Sequence, residues 1–388
     1  MTNDTMIGID IGTHAIKIVI AEPSNAELFP RILHVAESTS HGFRHGYITD
    51  QDKAHESFSV AISKIEREYK QKITHARFSL GGVGLSSQYV RTSLENPKKN
   101  NEITDRNVEE VVQKAEELFS QKYPNKKILH IIPVKYRVDD RDVLGTPIGM
   151  YGTTIEVKVI FITILEHHYD AFVSLIEKSN IKIDDIIASP IADAAISVSY
   201  KKKTQGCMLA NIGAETTSFS TFENGIITSL DILPFGSNDI TNDIALGLQI
   251  PLDEADNVKK GKNNNHPKRR VEEIIHARIA DILELASRHL SKIKKSRLLP
   301  AGIIFTGGGS HIENVNEYAK QELKLPSEEI NIMRNSKKTK RDVRVPNQFS
   351  IAYGLCVSES SHQQLSGISL SFKNIKHNLR YWFSQIMP

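Results

Sequence analysis

The sequence predicts an α/β protein with two domains or one elaborated domain. Apolar runs with β-like spacing alternate with stretches of helical spacing along the 388 residues. A chain of this length, with 39% hydrophobic residues, exceeds the usual size of a single domain. Three glycine-rich turns also each follow an apolar strand, and two of them repeat the same strand–turn–strand pattern far apart in the chain.

The individual elements follow from these spacings. The stretch Met6–Ile20 predicts a β-hairpin closed by a tight turn at Gly12 and Thr13. Helices are predicted at 50–70, 104–120, 166–179, 190–200, 238–247, 270–294 and 312–323. Strands are predicted at 76–80, 128–138, 155–165, 183–188, 207–212, 217–222, 226–233 and 302–306. Polar or turn-rich segments at 81–84, 201–206 and 261–268 are candidate boundaries, and the Ser/Gln/Gly-rich segment 358–369 is typical of a linker.

Composition excludes several classes of protein. The net charge of +3 comes from 49 basic and 46 acidic residues, which is unlike a nucleic-acid-binding profile. Two distant cysteines, Cys207 and Cys356, predict no disulfide framework or metal cluster and fit a reducing cytosol. Asp10 and Lys17 interrupt the only apolar stretch near the start, so no signal peptide is expected there. No window is apolar enough to span a bilayer, so any membrane contact is expected to be peripheral.

The three glycine turns carry the most specific chemistry. The first, at residues 10–14, places a carboxylate at the end of a buried strand and bare backbone amides after it. Consecutive N–H groups form a concavity for phosphate oxygens, and a nearby Asp can hold a hydrated Mg²⁺. An ordinary hairpin with a capping Asp would have the same sequence. The second turn surrounds Gly213, and the third follows the strand at 303–306. Three such turns in this order favour one shared site over unrelated turns.

In this order the turns resemble the superfamily of sugar kinases, heat-shock chaperones and actin. The resemblance implies an actin-like two-domain fold with a cleft for ATP and Mg. The first phosphate turn would comprise Asp10, Gly12, Thr13 and His14, the second Asn211, Gly213, Ala214, Glu215 and Thr216, and the adenosine turn Gly307, Gly308, Gly309 and Ser310. Asp10 is also the position implied to hold Mg through the phosphates. Asp256 and Lys259 match a helix that reaches the ribose and adenine, although an acid and a lysine at this spacing are also an ordinary helical pair.

Two further segments resemble the FtsA family of bacterial cell division proteins. One is His41–Asp50, and the other is 103–163, which includes Pro147–Met150 and Gly152 and resembles the inserted subdomain IC of that family. The resemblance implies these parts: subdomain IA at 1–83 and 164–200, IC at 84–163, IIA at 201–235 and 300–357, IIB at 236–299, a linker at 358–370, and a membrane-targeting helix at 371–388.

The resemblance to this family also implies partners and a location. The protein would lie at the cytoplasmic face of the inner membrane, at the division site. It would bind the C-terminal tail of FtsZ, further copies of itself in actin-like protofilaments, anionic membrane lipids, and later division proteins through subdomain IC, but no nucleic acid. The acidic FtsZ tail would meet the helix at 271–295, at Arg278, Arg288 and Lys292. A solvated basic helix face is the alternative for each of these residues.

The C-terminal residues support membrane contact independently. Apolar residues recur there at three- and four-residue steps, and basic residues fall on other faces. The predicted membrane residues are Phe372, Ile375, Lys376, Leu379, Arg380, Trp382, Phe383 and Ile386. Such a helix lies in the headgroup plane of an anionic membrane. The alternative is a last helix docked on the core.

Three functions remain open at this stage. Asn211 stands where many superfamily members have Asp, and an amide cannot act as a general base, so weak ATP hydrolysis at best is expected from a nucleotide-gated scaffold. A pilus-assembly scaffold like PilM is one alternative, and it would lack the terminal amphipathic helix. A small-molecule kinase is the other, and Asp193 is its only candidate catalytic carboxylate.

Overall fold

The computed structural model describes residues 5–24, 29–96, 102–263, 265–312, 314–330 and 347–364. The strands are β1 Met6–Ile11, β2 Ala15–Glu22, β3 Arg31–Thr39, β4 Phe43–Arg44, β5 Tyr47–Ile48, β6 His75–Leu80, β7 Ser86–Glu95, β8 Lys126–Val138, β9 Arg141–Val143, β10 Thr154–Leu165, β11 Lys182–Ala188, β12 Cys207–Ile212, β13 Thr217–Glu223, β14 Ile226–Leu233, β15 Ile303–Thr306 and β16 Ser327–Glu329. The α-helices are α1 Gln51–Tyr69, α2 Asp105–Lys122, α3 Glu166–Glu177, α4 Ser189–Ser197, α5 Tyr200–Gln205, α6 Ser237–Leu248, α7 Leu252–Lys259, α8 Lys268–Lys292, α9 Val315–Leu323 and α10 Ser350–Gln364. Every helix and strand predicted from spacing is present, with shifted ends.

Two sheets repeat one topology. In the first, β1, β2 and β3 are antiparallel neighbours and β6 and β11 continue the sheet in parallel, in the order β11-β6-β1-β2-β3. In the second, β12, β13 and β14 are antiparallel and β15 and β16 continue in parallel. We call the first sheet together with β4, β5, α1, α3, α4 and α10 the first domain, and β12–β16 with α6–α9 the second domain. Each domain therefore presents a hairpin turn followed later by a parallel strand.

An inserted subdomain, formed by β7–β10 and α2, extends the second sheet. Strand β7 pairs with β14 at Ser86 and Asp231, so one sheet of nine strands runs through both units. The subdomain has its own apolar cluster, in which Phe119 of α2 stacks on Phe161 of β10 with ring centroids 4.6 Å apart. In the chain it follows the turn after β6.

The apolar cores explain why the domains hold together. One cluster contains Phe58 and Phe78 of the first domain and also Leu209 and Ile304 of the second, so apolar packing is continuous between them. A second cluster packs α6, α8 and α9 against β12 and β15. Cys207 and Cys356 are both buried and form no disulfide, and burial raises the pKa of the Cys207 thiol to about 12. That value fits the expectation of inert thiols.

Helix α10 packs unusually closely on the first domain. A Cβ at Gly354 of α10 would overlap the backbone oxygen of Ala192 in α4, and a Cβ at Gly8 of β1 would overlap the backbone oxygen of Ala352 in α10. Only glycine lets the backbones approach this closely. The helix is therefore wedged between β1 and α4.

The predicted linker is partly wrong. Helix α10 continues to Gln364, through the first part of the segment expected to be a linker from residue 358. Residues 358–364 contain no Gly or Pro, and ordinary polar residues lower helix stability by only about 0.7 kcal/mol each at most, so the helix can continue through them. The rest of the linker and the predicted membrane-targeting helix at 371–388 lie outside the described residues.

Candidate functional site

The first glycine turn joins β1 to β2. Its backbone closes through the Gly12 amide, which donates to the Ala15 carbonyl at 3.1 Å. The hairpin register pairs Asp10 with Lys17 across the two strands. Ser79, at the same level of β6, donates its hydroxyl to Asp10 Oδ1 at 2.6 Å. Asp10, Lys17 and the backbone of the first glycine turn therefore meet at one end of the sheet.

Asp10 and Lys17 are an electrostatic pair on the floor of the cleft. Asp10 is almost fully buried, and burial raises its pKa, an effect that Lys17 and the Ser79 hydroxyl oppose. Lys17 was missed by the sequence analysis. A signal was available, because a hairpin centred on Thr13 and His14 must place residues 10 and 17 opposite each other.

The second glycine turn repeats the first. The Gly213 amide donates to the Thr216 carbonyl at 2.8 Å, as Gly12 does to Ala15. The amides of Ser237 and Asn238, at the start of α6, donate to the carbonyls of this turn at 2.8 Å. The turn is therefore held rigidly against the N-terminus of α6, an end of a helix that favours negative charge.

Glu215 of the second turn points away from the cleft. Its Oε2 accepts a hydrogen bond from the His45 backbone amide at 2.7 Å, and the His45 ring nitrogen Nδ1 lies 3.0 Å from the Glu215 backbone oxygen. The next amide, of Gly46, donates to the Thr13 hydroxyl at 3.1 Å. The turn between β4 and β5 thus bridges the first and second glycine turns, and we call this contact the His45 clasp. Sequence reasoning missed the clasp because His45 and Gly46, which both have positive φ, lie in a short loop that shows neither helical nor strand periodicity.

The third turn leads from β15 into a short 3-10 helix. Gly307 has φ of +84°, which favours glycine, and a Cβ on Gly309 would overlap the side chain of Ile212. A Cβ on Gly308 would meet nothing within 4 Å. Ser310 is buried and donates to the Gly307 carbonyl at 2.8 Å, so it supports the turn from behind.

Helix α7 brings Lys259 and Asp256 to the same region. The Lys259 ammonium donates to the Thr241 hydroxyl at 2.6 Å and to the Ser237 carbonyl at 3.1 Å, and it lies 3.2 Å from Asp256. Burial lowers the pKa of Lys259, and Asp256 opposes that shift. The lysine therefore ties α7 to α6 beside the cleft.

All these turns border one cavity of about 1010 Å³. Of the predicted nucleotide residues, only Glu215 and Ser310 do not line it. Small-molecule sites typically occupy about 300–1,000 Å³, so the space is ample for a nucleotide. The lining of the cavity fits a nucleotide. The backbone of the turns and Lys17 would face its phosphates, and the open space beside Gly308 would accommodate its adenosine end. Asp10 fits a hydrated cation held through phosphates, while no cluster of three or more His, Cys, Asp or Glu side chains occurs in the described part of the chain.

Asp193 does not face this cavity. It is fully buried on α4, with its carboxylate oxygens occupied by hydroxyl and amide donors. The suggestion that it could act as the catalytic carboxylate of a kinase is therefore wrong, because no substrate can reach it.

The three predicted FtsZ-contact residues lie on α8 but differ in how far they are exposed and paired within the protein. Arg278 forms a bidentate pair with Asp243 of α6 at 2.7 and 3.0 Å. Arg288 is exposed and pairs with Glu284 one turn earlier. Lys292 is exposed at the end of the helix.

The predicted membrane residues, from Phe372 to Ile386, lie outside the described residues, and no described helix has the length and apolarity needed to cross a bilayer.

Two family models match the chain. The model described as "Cell division protein FtsA" matches residues 208–354, and the model described as "SHS2 domain inserted in FTSA" matches residues 82–163. Cell division protein FtsA of Bacillus subtilis (strain 168) is 27% identical, over 96% of this chain and 87% of its own. The protein of the same name from Borreliella burgdorferi is 23% identical, over 99% of both chains.

Solved structures confirm the fold. The PilM-PilN type IV pilus biogenesis complex matches with a TM-score of 0.68 at 15% identity, covering 92% of this chain and 98% of its own. MreB5 of Spiroplasma citri bound to AMPPNP matches with a TM-score of 0.55 at 12% identity, covering 94% and 98%. Both likenesses concern the fold alone. With FtsA models on the inserted subdomain and the second domain, and FtsA relatives along nearly the whole chain, this chain belongs to the FtsA family of actin-like cell division proteins.

Proposed function

We propose that this chain binds ATP with Mg²⁺ in the cleft between its domains and anchors FtsZ polymers to the cytoplasmic membrane at the division site. The observation that carries the nucleotide part is the convergence of three glycine turns, from two domains, on one cavity. The MreB structure of the same fold contains a bound nucleotide analogue, which supports this part. Family membership supports the FtsZ part.

The residues of the cleft have distinct tasks in this proposal. The backbone amides of the turns around Gly12 and Gly213 bind phosphate oxygens, and Lys17 adds a positive charge beside them. Asp10 is the residue that would hold a hydrated Mg²⁺, which would neutralise phosphate charge when bound. Gly308 leaves room for the adenosine, and Asp256 and Lys259 flank it. Asn211 offers no general base, so the proposed activity is binding with weak hydrolysis at best.

The proposed interactions use other surfaces. The acidic FtsZ tail binds along α8, where Arg288 and Lys292 are exposed. Copies of the chain associate in protofilaments, later division proteins bind the inserted subdomain, and the residues from 371 onward bind anionic lipids. A protein with these contacts works as an adaptor between a cytoskeletal polymer and a membrane.

Liposome sedimentation tests the adaptor proposal. The full chain and a version ending at Gln364 are spun with anionic liposomes, each with and without ATP and purified FtsZ. We expect only the full chain to pellet and to carry FtsZ with it. If both versions stay in solution, the membrane part is contradicted and a scaffold like PilM becomes the better candidate. If the full chain pellets without FtsZ, the FtsZ part is contradicted.

A charge-reversal pair tests the FtsZ surface. The double variant Arg288→Glu with Lys292→Glu should weaken binding of an FtsZ tail peptide by on the order of tenfold, because it replaces attraction by repulsion. Arg106→Glu on α2 is the matched control, since Arg106 is also exposed and paired within its helix. Equal affinity in the double variant and the control would exclude this surface.

A further inference from the structure

Asp193 is a fully buried carboxylate that the proposed nucleotide contacts do not use. Three donors converge on it. The Ser197 hydroxyl donates at 2.6 Å from α4 itself, the Asn211 amide at 2.6 Å from β12, and the Thr306 hydroxyl at 2.7 Å from β15. A buried carboxylate is stable only with such partners, so the cluster is complete in itself.

Two of the three donors lead directly into the cleft. Strands β12 and β15 pair in parallel with Asn211 opposite Thr306. Asn211 precedes the second phosphate turn, and Thr306 immediately precedes Gly307 of the adenosine turn. Asp193 therefore contacts the two places where the second domain enters the nucleotide cavity.

The third donor has a different position. Ser197 lies one turn further along α4, and it lines no part of the cavity. Its hydrogen bond satisfies the other oxygen of the carboxylate but reaches no turn of the cleft. Ser197 is thus an internal control within the same cluster.

The cluster also explains why residue 211 carries an amide and not a carboxylate. Asn211 donates from Nδ2 and lines the cavity beside Gly307. An acid at this position would place two carboxylates 2.6 Å apart, a separation at which both cannot ionise without a large cost. The buried acid on α4 therefore requires a donor on β12.

We propose that Asp193 is a positioning residue for the nucleotide, which acts through Asn211 and Thr306. By holding both side chains, it sets the spacing between the second phosphate turn and the adenosine turn, so that one ligand can contact both. The inference rests on the proposed function, since it names the group that aligns the proposed ATP site. Asp10 of β1 is the charged neighbour in electrostatic contact with Asp193, and it stays unchanged in every variant below.

Two single variants separate positioning from stability. Thr306→Val and Ser197→Ala each remove one hydrogen bond to the same carboxylate, and both should lower Tm by similar amounts. Only Thr306→Val should weaken binding of a fluorescent ATP analogue, by about tenfold, because only Thr306 leads into a turn. Ser197→Ala should stay within about twofold of the unchanged protein. Equal affinities for the two variants would overturn the proposal.

Exchanging the side chains of Asp193 and Asn211 gives a second test. Asn211→Asp alone should bind the analogue about tenfold more weakly at pH 8 and recover as the pH falls toward 5, because a proton then joins the two carboxylates. Asp193→Asn alone should also weaken binding, because one amide oxygen replaces two acceptors. The double exchange restores one acid facing one amide and should recover affinity to within about threefold, without the added pH dependence. A double variant no better than Asn211→Asp would overturn the proposal, whereas no analogue binding by the unchanged protein would contradict the proposed ATP site itself.

Discussion

At the scale of residues, the charged groups of the cleft are oriented by partners on other elements, as Asp10 is by Lys17 and Glu215 by His45. The glycines of the three turns are visible in sequence because a tight turn after an apolar strand needs them. The charged partners are harder to find, since Lys17 faces Asp10 only through hairpin register and Glu215 turns away only because His45 supplies a donor. Chemistry that depends on the direction of a side chain was therefore missed, and chemistry that depends on backbone was predicted.

Asp10 gives a prediction about pH. Burial raises its pKa, so between the ordinary value of 3.8 and the raised value the folded state holds a proton that the unfolded state has lost. Stability thus falls as pH rises through this window, and an uncharged side chain at this position avoids that loss. Asp10→Asn should unfold at a higher Tm than the unchanged protein at pH 7, with a gain that shrinks toward pH 4. Thermal melts over this range check it, and an equal or lower Tm at pH 7 would contradict it.

At the scale of elements, spacing predicted most of the helices and strands, because one face of each of these is buried, but it missed β3, β7 and α10. Helix α10 also runs through polar residues that were expected to form a linker. Contacts between elements were not predictable, since they depend on which helix faces which. Arg278 is the clearest example. The sequence around it shows only a basic helix face, whereas the structure shows that Arg278 forms an ion pair with α6.

Arg278 should stabilise the packing of α8 on α6. The bidentate pair with Asp243 is mostly shielded from solvent, so Arg278→Ala should lower the free energy of unfolding by about 1–3 kcal/mol. Arg288→Ala on the same helix is the control and should change it by about 0–0.5 kcal/mol, since its pair with Glu284 is exposed. Urea unfolding of both variants measures this. Similar losses for both would show that the bidentate pair has no special weight.

The crossing of α10 and α4 should tolerate no side chain at Gly354. Gly354→Ala would force its Cβ into the Ala192 carbonyl, and the helices would have to separate at a cost of about 3 kcal/mol. Gly308→Ala adds the same methyl group into open space, so its unfolding free energy should change by less than about 0.5 kcal/mol. Its effect should appear instead as weaker ATP-analogue binding. Chemical unfolding of Gly354→Ala with unchanged stability would show that the helices can move apart freely.

At the scale of the whole molecule, the two-domain arrangement was predicted by resemblance and the joint between the domains was not. The domains share one apolar cluster and meet again at the His45 clasp, where a loop of the first domain contacts the first and second glycine turns. These contacts join residues that are distant in sequence, and no local pattern marks them. The shared cleft was therefore predictable, and the contacts that hold its two sides together were not.

The His45 clasp should limit opening of the cleft. Glu215→Ala removes the acceptor of the His45 amide, so hydrogen exchange at residues 43–48 and 213–216 should become faster. Glu215→Gln keeps an acceptor oxygen and should exchange at nearly the rate of the unchanged protein. Mass spectrometry of exchange, without nucleotide, measures both. Identical protection in Glu215→Ala and the unchanged protein would show that the clasp does not hold the domains.

The wedged helix α10 has a consequence for how the two ends of the protein act on each other. Gly8 and Ala192, which it touches, lie two residues from Asp10 and next to Asp193. Helix α10 therefore contacts the backbone close to both of the acids beneath the cleft. If ligand binding in the cleft shifts α10 and so changes the affinity with which the C-terminal segment attaches to its partner, thermodynamic linkage requires that this attachment changes the ligand affinity by the same factor. Attachment of the C-terminal segment would then act as an effector of the cleft, and the cleft as an effector of attachment.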